Sequence, residues 1–263
     1  MLTEKIITKA LNSAVSLVSA DRSRCVRMRF SRNTCSHCTS ACAAAAISLD
    51  GGIMIDGAKC TGCMLCVSAC PSGCLSAVGG NFELFLAEAR KTQNSVPTCV
   101  VSCKTAGDRS IHVRTSCLGF LSEEHLIALA GFLEKPLYLD LSACGACRNS
   151  CIVEKLKERV QSVREKTALD VAKKIILAEK KTALVFEDVS LDRRGFFQAL
   201  KTAAFTQAAG LLQENDGKRE LSYSTKSTPV KRDLLNRVIQ RMPNDPTAQA
   251  ILSHYAFTVK AGP

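Results

Sequence analysis

The chain has 263 residues, 15 cysteines and no tryptophan, and its 35 Lys and Arg against 24 Asp and Glu give a formal net charge of +11. An odd cysteine count at metal-ligand spacing argues against a secreted disulfide framework, and no run of eighteen apolar residues is present to span a membrane. The charge is overstated because ligand cysteines are thiolates, and low aromatic content without a binding motif disfavours nucleic acid as a partner.

Residues 1–24 read as an N-terminal helix. The apolar positions Ile6, Ile7, Ala10, Leu11, Ala14, Val15, Leu17 and Val18 recur at helical spacing through Leu2 to Ala20, interrupted by Glu4, Lys5 and Lys9. Those charges also argue against a secretory signal, and thiols at metal spacing imply a reducing compartment, so a cytoplasmic location is expected.

The next segment, 25–80, carries the strongest motif: Cys60-x-x-Cys63-x-x-Cys66-x-x-x-Cys70-Pro71. Four thiolates at this spacing suit an iron-sulfur cluster and imply single-electron chemistry. An altered copy lies upstream as Cys25, then Cys35-x-x-Cys38-x-x-x-Cys42, with Ala46-Ile47 falling where Cys74-Leu75 falls later. In this registration the first position is displaced to Cys25 across the insertion Val26 to Thr34.

On these residues the region from Cys25 to about Val78 resembles the two-cluster bacterial-type ferredoxins. It departs from them at Ala43, where a proline normally follows the fourth cysteine, and in the insertion. The resemblance implies that the fourth cysteine of each run serves the other cluster. Cluster I would then be held by Cys25, Cys35, Cys38 and Cys70, and cluster II by Cys60, Cys63, Cys66 and Cys42, each a [4Fe-4S] centre. The competing reading is a pair of zinc knuckles, which does not need a third closely spaced cysteine with Cys-Pro behind it. Arg22, Arg24, Arg27, Arg29 and Arg32 crowd around Cys25. They read either as solvated surface that offsets anionic clusters or as a rim on which an acidic redox partner docks. Cys74 reads as a buried thiol beside the clusters, and His37 as a loop-surface histidine.

Segment 81–160 reads as a small α/β domain. Strands are expected at Val96 to Cys103, Ile111 to Val113 and Leu137 to Leu141, with helices from Ser122 to Glu134 and from Arg148 onward. Ser122 is a candidate N-cap, with Glu123 and Glu124 where the helix dipole favours acids. Cys103, Cys117, Cys144 and Cys147 then follow the carboxyl ends of parallel strands, where open α/β sheets place their sites. A third iron-sulfur centre is expected on these four, with Cys99 and Cys151 as alternates, and zinc as the competing metal. The unit, with Cys117-Leu118-Gly119 and Cys144-x-x-Cys147-x-x-x-Cys151, loosely resembles the iron-sulfur delta subunit of methyl-viologen-reducing hydrogenases, which implies electron transfer between partner enzymes. A catalytic dithiol lacks an activating Lys or His near Cys144-Gly145-Ala146-Cys147.

Residues 161–263 read as helical and linker sequence. A helix is expected over Val153 to Leu177, a strand or extended segment over Ala183 to Val189, and another helix after Asp192-Arg193-Arg194. A linker follows over 214–230, then helices over Lys231 to Met242 and Thr247 to Tyr255 and a short strand over Tyr255 to Val259. The last strand is the expected approach to a further module outside this sequence. Taken together the expectation is an α+β protein with a ferredoxin-like dicluster module, a small α/β cysteine-bearing domain and a helical C-terminal region. The expected function is that of an electron-transfer subunit of an oxidoreductase complex with no catalytic residues of its own. Alternatives are a cluster-fed thiol or disulfide reductase at the residue 96–160 site, and a zinc-binding structural protein. No G-x-G-x-x-G dinucleotide fingerprint is present.

Overall fold

Short strands and short helices build the N-terminal half of the structure, a computed structural model that describes residues 17–104, 111–184, 228–242 and 245–255. Strand β1 (Val18–Ala20), helices α1 (Val26–Arg29) and α2 (His37–Ser40), strands β2 (Ile47–Ser48) and β3 (Met54–Ile55), helix α3 (Leu65–Ala69) and strand β4 (Leu75–Ala77) follow in chain order. β1 pairs antiparallel with β4, Val18 opposite Ala77, and β2 pairs antiparallel with β3. Val18, Ile47, Ile53, Met64, Leu65 and Leu75 are buried between these ribbons and the helices.

β1 corrects the expected N-terminal helix at its end: Val18–Ala20 is a strand, and residues 1–16 lie outside the described residues. The backbone of Leu75–Ala77 needs a partner to satisfy its polar groups, and this segment supplies one. The ladder extends at both ends, with Asp21 donating its N–H to the Cys74 carbonyl and Val78 to that of Leu17.

Helix α4 (Phe82–Ser95), not anticipated from the sequence, leads into the second half. Asn81 caps it by accepting from the Glu83 N–H, and Phe82, Phe85, Leu86 and Ala89 face inward. Strands β5 (Cys99–Cys103) and β6 (Val113–Thr115), helix α5 (Glu123–Phe132), strand β7 (Leu137–Asp140), helix α6 (Cys151–Thr167) and strand β8 (Ile175–Ala178) follow. The four strands form one parallel sheet in the order β6-β5-β7-β8. Val100, Val101, Leu137 and Leu139 are fully buried, as expected of a parallel sheet.

β8 departs from the expected helix over Val153 to Leu177. α6 stops at Thr167, whose hydroxyl donates to the Val163 carbonyl and accepts from the Leu169 N–H, and Ala168 turns the chain in the left-handed region at φ 57°. Ile175 to Ala178 then pair with β7, so the boundary expected at residue 160 falls inside α6 and the sheet domain continues beyond it. Of the expected extended segment over Ala183 to Val189, Ala183 ends a 3-10 turn and residues 185–189 lie outside the described residues. The helix after Asp192 and nearly all of the linker also lie outside them, as does the strand beyond Tyr255.

Helices α7 (Val230–Ile239) and α8 (Pro246–Tyr255) return to the same unit as everything above. α7 buries Leu234, Leu235 and Val238 against α5, where Gly131 lets Val238 approach closely. α8 lies on α6, and the Tyr255 hydroxyl donates to Glu123 at 2.6 Å beside the Lys166 ammonium at 2.7 Å. α5 is thus covered on the side away from the sheet and is buried along most of its length.

His125 is part of what locks α5 in place. Ser122 and His125 form a reciprocal capping box, with the Ser122 N–H donating to His125 Nδ1 at 3.2 Å, and the imidazole stacks on Phe82 at 4.2 Å between centroids. Burial, reinforced by the charge of Lys231, lowers its pKa from 6.5 to about 3. The unfolded chain therefore protonates this residue near 6.5 while the folded chain does so only near 3. Stability falls as pH drops through that window, by up to about 1.4 kcal/mol per pH unit from this residue. Circular-dichroism melts of His125→Gln are expected to lose less Tm than the wild type between about pH 6 and 4.5, and equal slopes would assign the acid limb to other groups.

Candidate metal centres

The loop from Cys60 to Cys66 is shaped by backbone reversals. Asp56 accepts from the Ala58 and Lys59 N–H groups at 3.0 and 3.3 Å, its carbonyl accepts from Cys60, and the bonds from Lys59 and Ala58 hold its carboxyl below the usual carboxylate range. Gly62 follows at φ 69°, which a glycine adopts without strain, and Met64 repeats the left-handed turn at φ 61° before α3. Cys66 is buried in α3, and burial pushes its thiol up to about 12, with Cys63, Cys42 and Cys60 adding like-charge repulsion. The neighbour from the upstream run is therefore Cys42, whose sulfur accepts the Ala46 N–H at 3.3 Å.

Cys70 lies beside Cys38 of the upstream run. Cys38 is buried in α2, its thiol raised first by burial and then by Cys70 and Cys35. The side chain of Cys74, beside Cys70, does most to lower Cys70 to about 4 despite burial. Ser72 contributes through its hydroxyl at 3.6 Å. The same interaction with Cys70 raises Cys74, followed by burial and by the proximity of Cys70 and Cys25. Cys25, buried after the 3-10 turn Arg22–Arg24, thus joins this group through Cys74. Cys74, read from sequence as a packed thiol, is buried beside Cys70 and Cys25. Arg22, Arg27, Arg29 and Arg32 are exposed around Cys25, with Met28 and Phe30 exposed among them. His37 is exposed at the start of α2, as expected.

Two cations, the buried Lys231 and the half-buried Arg159, converge on α3. Lys231, on α7 and only 8% exposed, donates its ammonium to the carbonyls of Ser68 and of Cys70, the latter at 3.1 Å. Burial lowers its pKa, opposed by the negative charges of Glu124 and Cys70. Arg159, on α6, donates to the Gly119 and Leu121 carbonyls at 3.1 and 2.6 Å and to Ser68 Oγ at 2.8 Å, and burial lowers its pKa too. Neither cation is legible in the sequence, where each is one of many basic residues at helical spacing.

A third group of thiols follows the sheet. Cys103 ends β5, Cys117 comes two residues after β6, and Cys144 and Cys147 occupy the turn after β7. Burial pushes Cys117 up to about 12, with Cys103, Cys144 and Cys63 as charge neighbours. Burial likewise pushes Cys144 up to about 11, with Cys103, Cys147 and Asp140 beside it. The Cys147 sulfur accepts the Asn149 N–H at 3.4 Å. Cys99 is at the opposite end of β5, fully buried and raised to about 12 by burial and by Glu88, while Cys151 is exposed at the head of α6. His112 and His125 serve the backbone, accepting N–H groups of Val100 and Ser122. Among the described residues no three His, Cys, Asp or Glu side chains close on one point as a single metal ion requires, so within each group the thiols are charge neighbours rather than a closed chelate.

Among the described residues no helix is long and apolar enough to cross a membrane. Comparison with curated proteins and with solved structures yields no match. Comparison with family models yields one: residues 53–76, from the residue before β3 to the middle of β4, match the 4Fe-4S binding domain family. This segment contains Cys60, Cys63, Cys66 and Cys70, so the chain carries a ferredoxin-type iron-sulfur domain, which indicates a [4Fe-4S] cluster and supports a role in electron transfer.

Proposed function

We propose that the chain is an electron-transfer subunit holding two [4Fe-4S] clusters and a third iron-sulfur centre, and that it passes single electrons to or from a partner oxidoreductase. The observation that carries this reading is a crossing of the two cysteine runs: Cys66 has Cys42 of the upstream run beside it together with Cys60 and Cys63, whereas Cys38 of the upstream run has Cys70 beside it together with Cys35. Cys25, Cys35, Cys38 and Cys70 would hold cluster I, and Cys42, Cys60, Cys63 and Cys66 cluster II. Cys103, Cys117, Cys144 and Cys147 would hold the third centre. When bound, such centres accept and release one electron at a time.

The surrounding residues suit anionic cofactors. Backbone N–H groups point at the sulfurs of Cys42 and Cys147, and the Ser72 hydroxyl lies 3.6 Å from the sulfur of Cys70. Lys231 and Arg159 place positive charge beside α3, donating there to the carbonyls of Ser68 and Cys70 and to Ser68 Oγ, and a desolvated cation is tolerated best when an anion lies nearby. Thiols raised by burial at Cys117 and Cys144 run against a nucleophilic dithiol, which needs a lowered pKa, so the reductase alternative gains nothing from this site. The exposed arginines over Cys25, with Met28 and Phe30 between them, suit a redox partner with an acidic face.

Anaerobic iron and sulfide analysis of the reconstituted protein is expected to give about eight irons and eight sulfides from the two cubes, with a further increment from the third centre. EPR of the reduced protein should show interacting cube signals, and zinc without sulfide would overturn the reading. Cys25→Ser is expected to perturb cluster I and leave cluster II intact, so two unchanged cubes would remove Cys25 from the ligand set. Lys231→Gln deletes a positive charge next to Cys70 and should lower the cluster I potential by on the order of 50–100 mV, the scale of a unit charge about 7–14 Å away at an effective dielectric constant near 20. Redox titration checks this, with Lys231→Arg expected to retain the wild-type value more closely.

A further inference from the structure

Two segments distant in sequence meet backbone to backbone at Gly119. A Cβ placed there would lie 2.1 Å from the Cys63 carbonyl oxygen, a separation that no side chain tolerates, so the approach requires glycine. Two further ties flank it. Asn149, two residues beyond Cys147, donates Nδ2–H to the Thr61 carbonyl at 3.1 Å. Arg159 grips the Gly119 and Leu121 carbonyls and reaches Ser68 Oγ at 2.8 Å. Each contact joins the turn after Cys117, or the turn after Cys147, to the loop and helix carrying Cys60, Cys63 and Cys66. Cys117 is itself a charge neighbour of Cys63.

We propose that the Cys60–Cys66 loop and the Cys117–Leu121 turn form one electron junction, closed by Gly119 against Cys63, which orders the relay as cluster I, cluster II, third centre. The inference rests on the reading above and adds a sequence of transfers to it. Electron exchange weakens steeply with distance, so two centres in one chain exchange directly only if their ligand loops are held close. Gly119 is a positioning residue here. The backbone-to-backbone approach at Gly119 also sets this contact apart from the arginine-rich rim over Cys25, which lies on the cluster I side. In the transfer one electron leaves one centre and enters the other; no bond forms or breaks and no proton moves. A low-potential one-electron donor supplies it, a part that dithionite takes in the test.

The experiment is EPR of the full chain, reconstituted and reduced with dithionite. A magnetic splitting that disappears when Cys144→Ser removes the third centre is expected in the wild type. Gly119→Val forces the two loops apart and is expected to narrow or abolish that splitting while iron and sulfide content stay unchanged. Asn149→Ala, a milder change that removes only the tie to Thr61, is expected to narrow it as well and serves if Gly119→Val loses iron. A third centre that assembles and is reduced without splitting in the wild type overturns this inference alone, as does a splitting unchanged in both variants. Absence of any third centre overturns the reading on which it rests, and this inference with it.

Discussion

Gathering many thiols in a small volume is the constraint on which the rest of this structure depends. Burial and mutual repulsion both oppose ionisation, as the raised thiols of Cys66, Cys117 and Cys144 show. The chain answers with groups that favour negative charge on sulfur: N–H donors at Cys42 and Cys147, the Ser72 hydroxyl at Cys70, and the cations Lys231 and Arg159. Left-handed residues at Gly62 and Met64 reverse the backbone tightly enough to bring successive cysteines of one run to the same side.

Those supporting groups come from far along the chain. Lys231 lies more than 160 residues beyond Ser68, and it arrives because α7 buries Leu234, Leu235 and Val238 against α5. α5 is in turn fixed by its Ser122 and His125 cap and by the Glu123 contacts to Lys166 and Tyr255. The packing of the C-terminal helices thus determines the electrostatics beside Cys70. Residues 230–239 behave less as an appendage than as part of the wall around the N-terminal thiols.

Several features were legible because their causes are local. The Ser122 cap with two acids behind it was readable as a helix start, and the three strands ending near Cys103, Cys117 and Cys144 were readable from short apolar runs. The mixed α+β class followed from the same pattern. Val18–Ala20 was not readable as a strand, since three residues at the end of a helical pattern become a strand only when Leu75–Ala77 offers an edge. β8 was hidden for a related reason: Ile175 to Ala178 continue an apolar periodicity from α6, and only the turn at Ala168 and the free edge of β7 separate them.

The sequence by itself determined the chemistry of the chain, because ligand spacing is a property of a short loop and the run from Cys60 to Pro71 suits few cofactors other than an iron-sulfur cluster. Only the tertiary structure decided which distant groups attend those thiols. Gly119 is one of 15 glycines and Lys231 one of 35 basic residues. Each acquires its place through contacts across the fold, backbone against Cys63 in one case and buried ammonium against the Cys70 carbonyl in the other. Close approach and desolvation are properties of packed surfaces, and no local pattern records them.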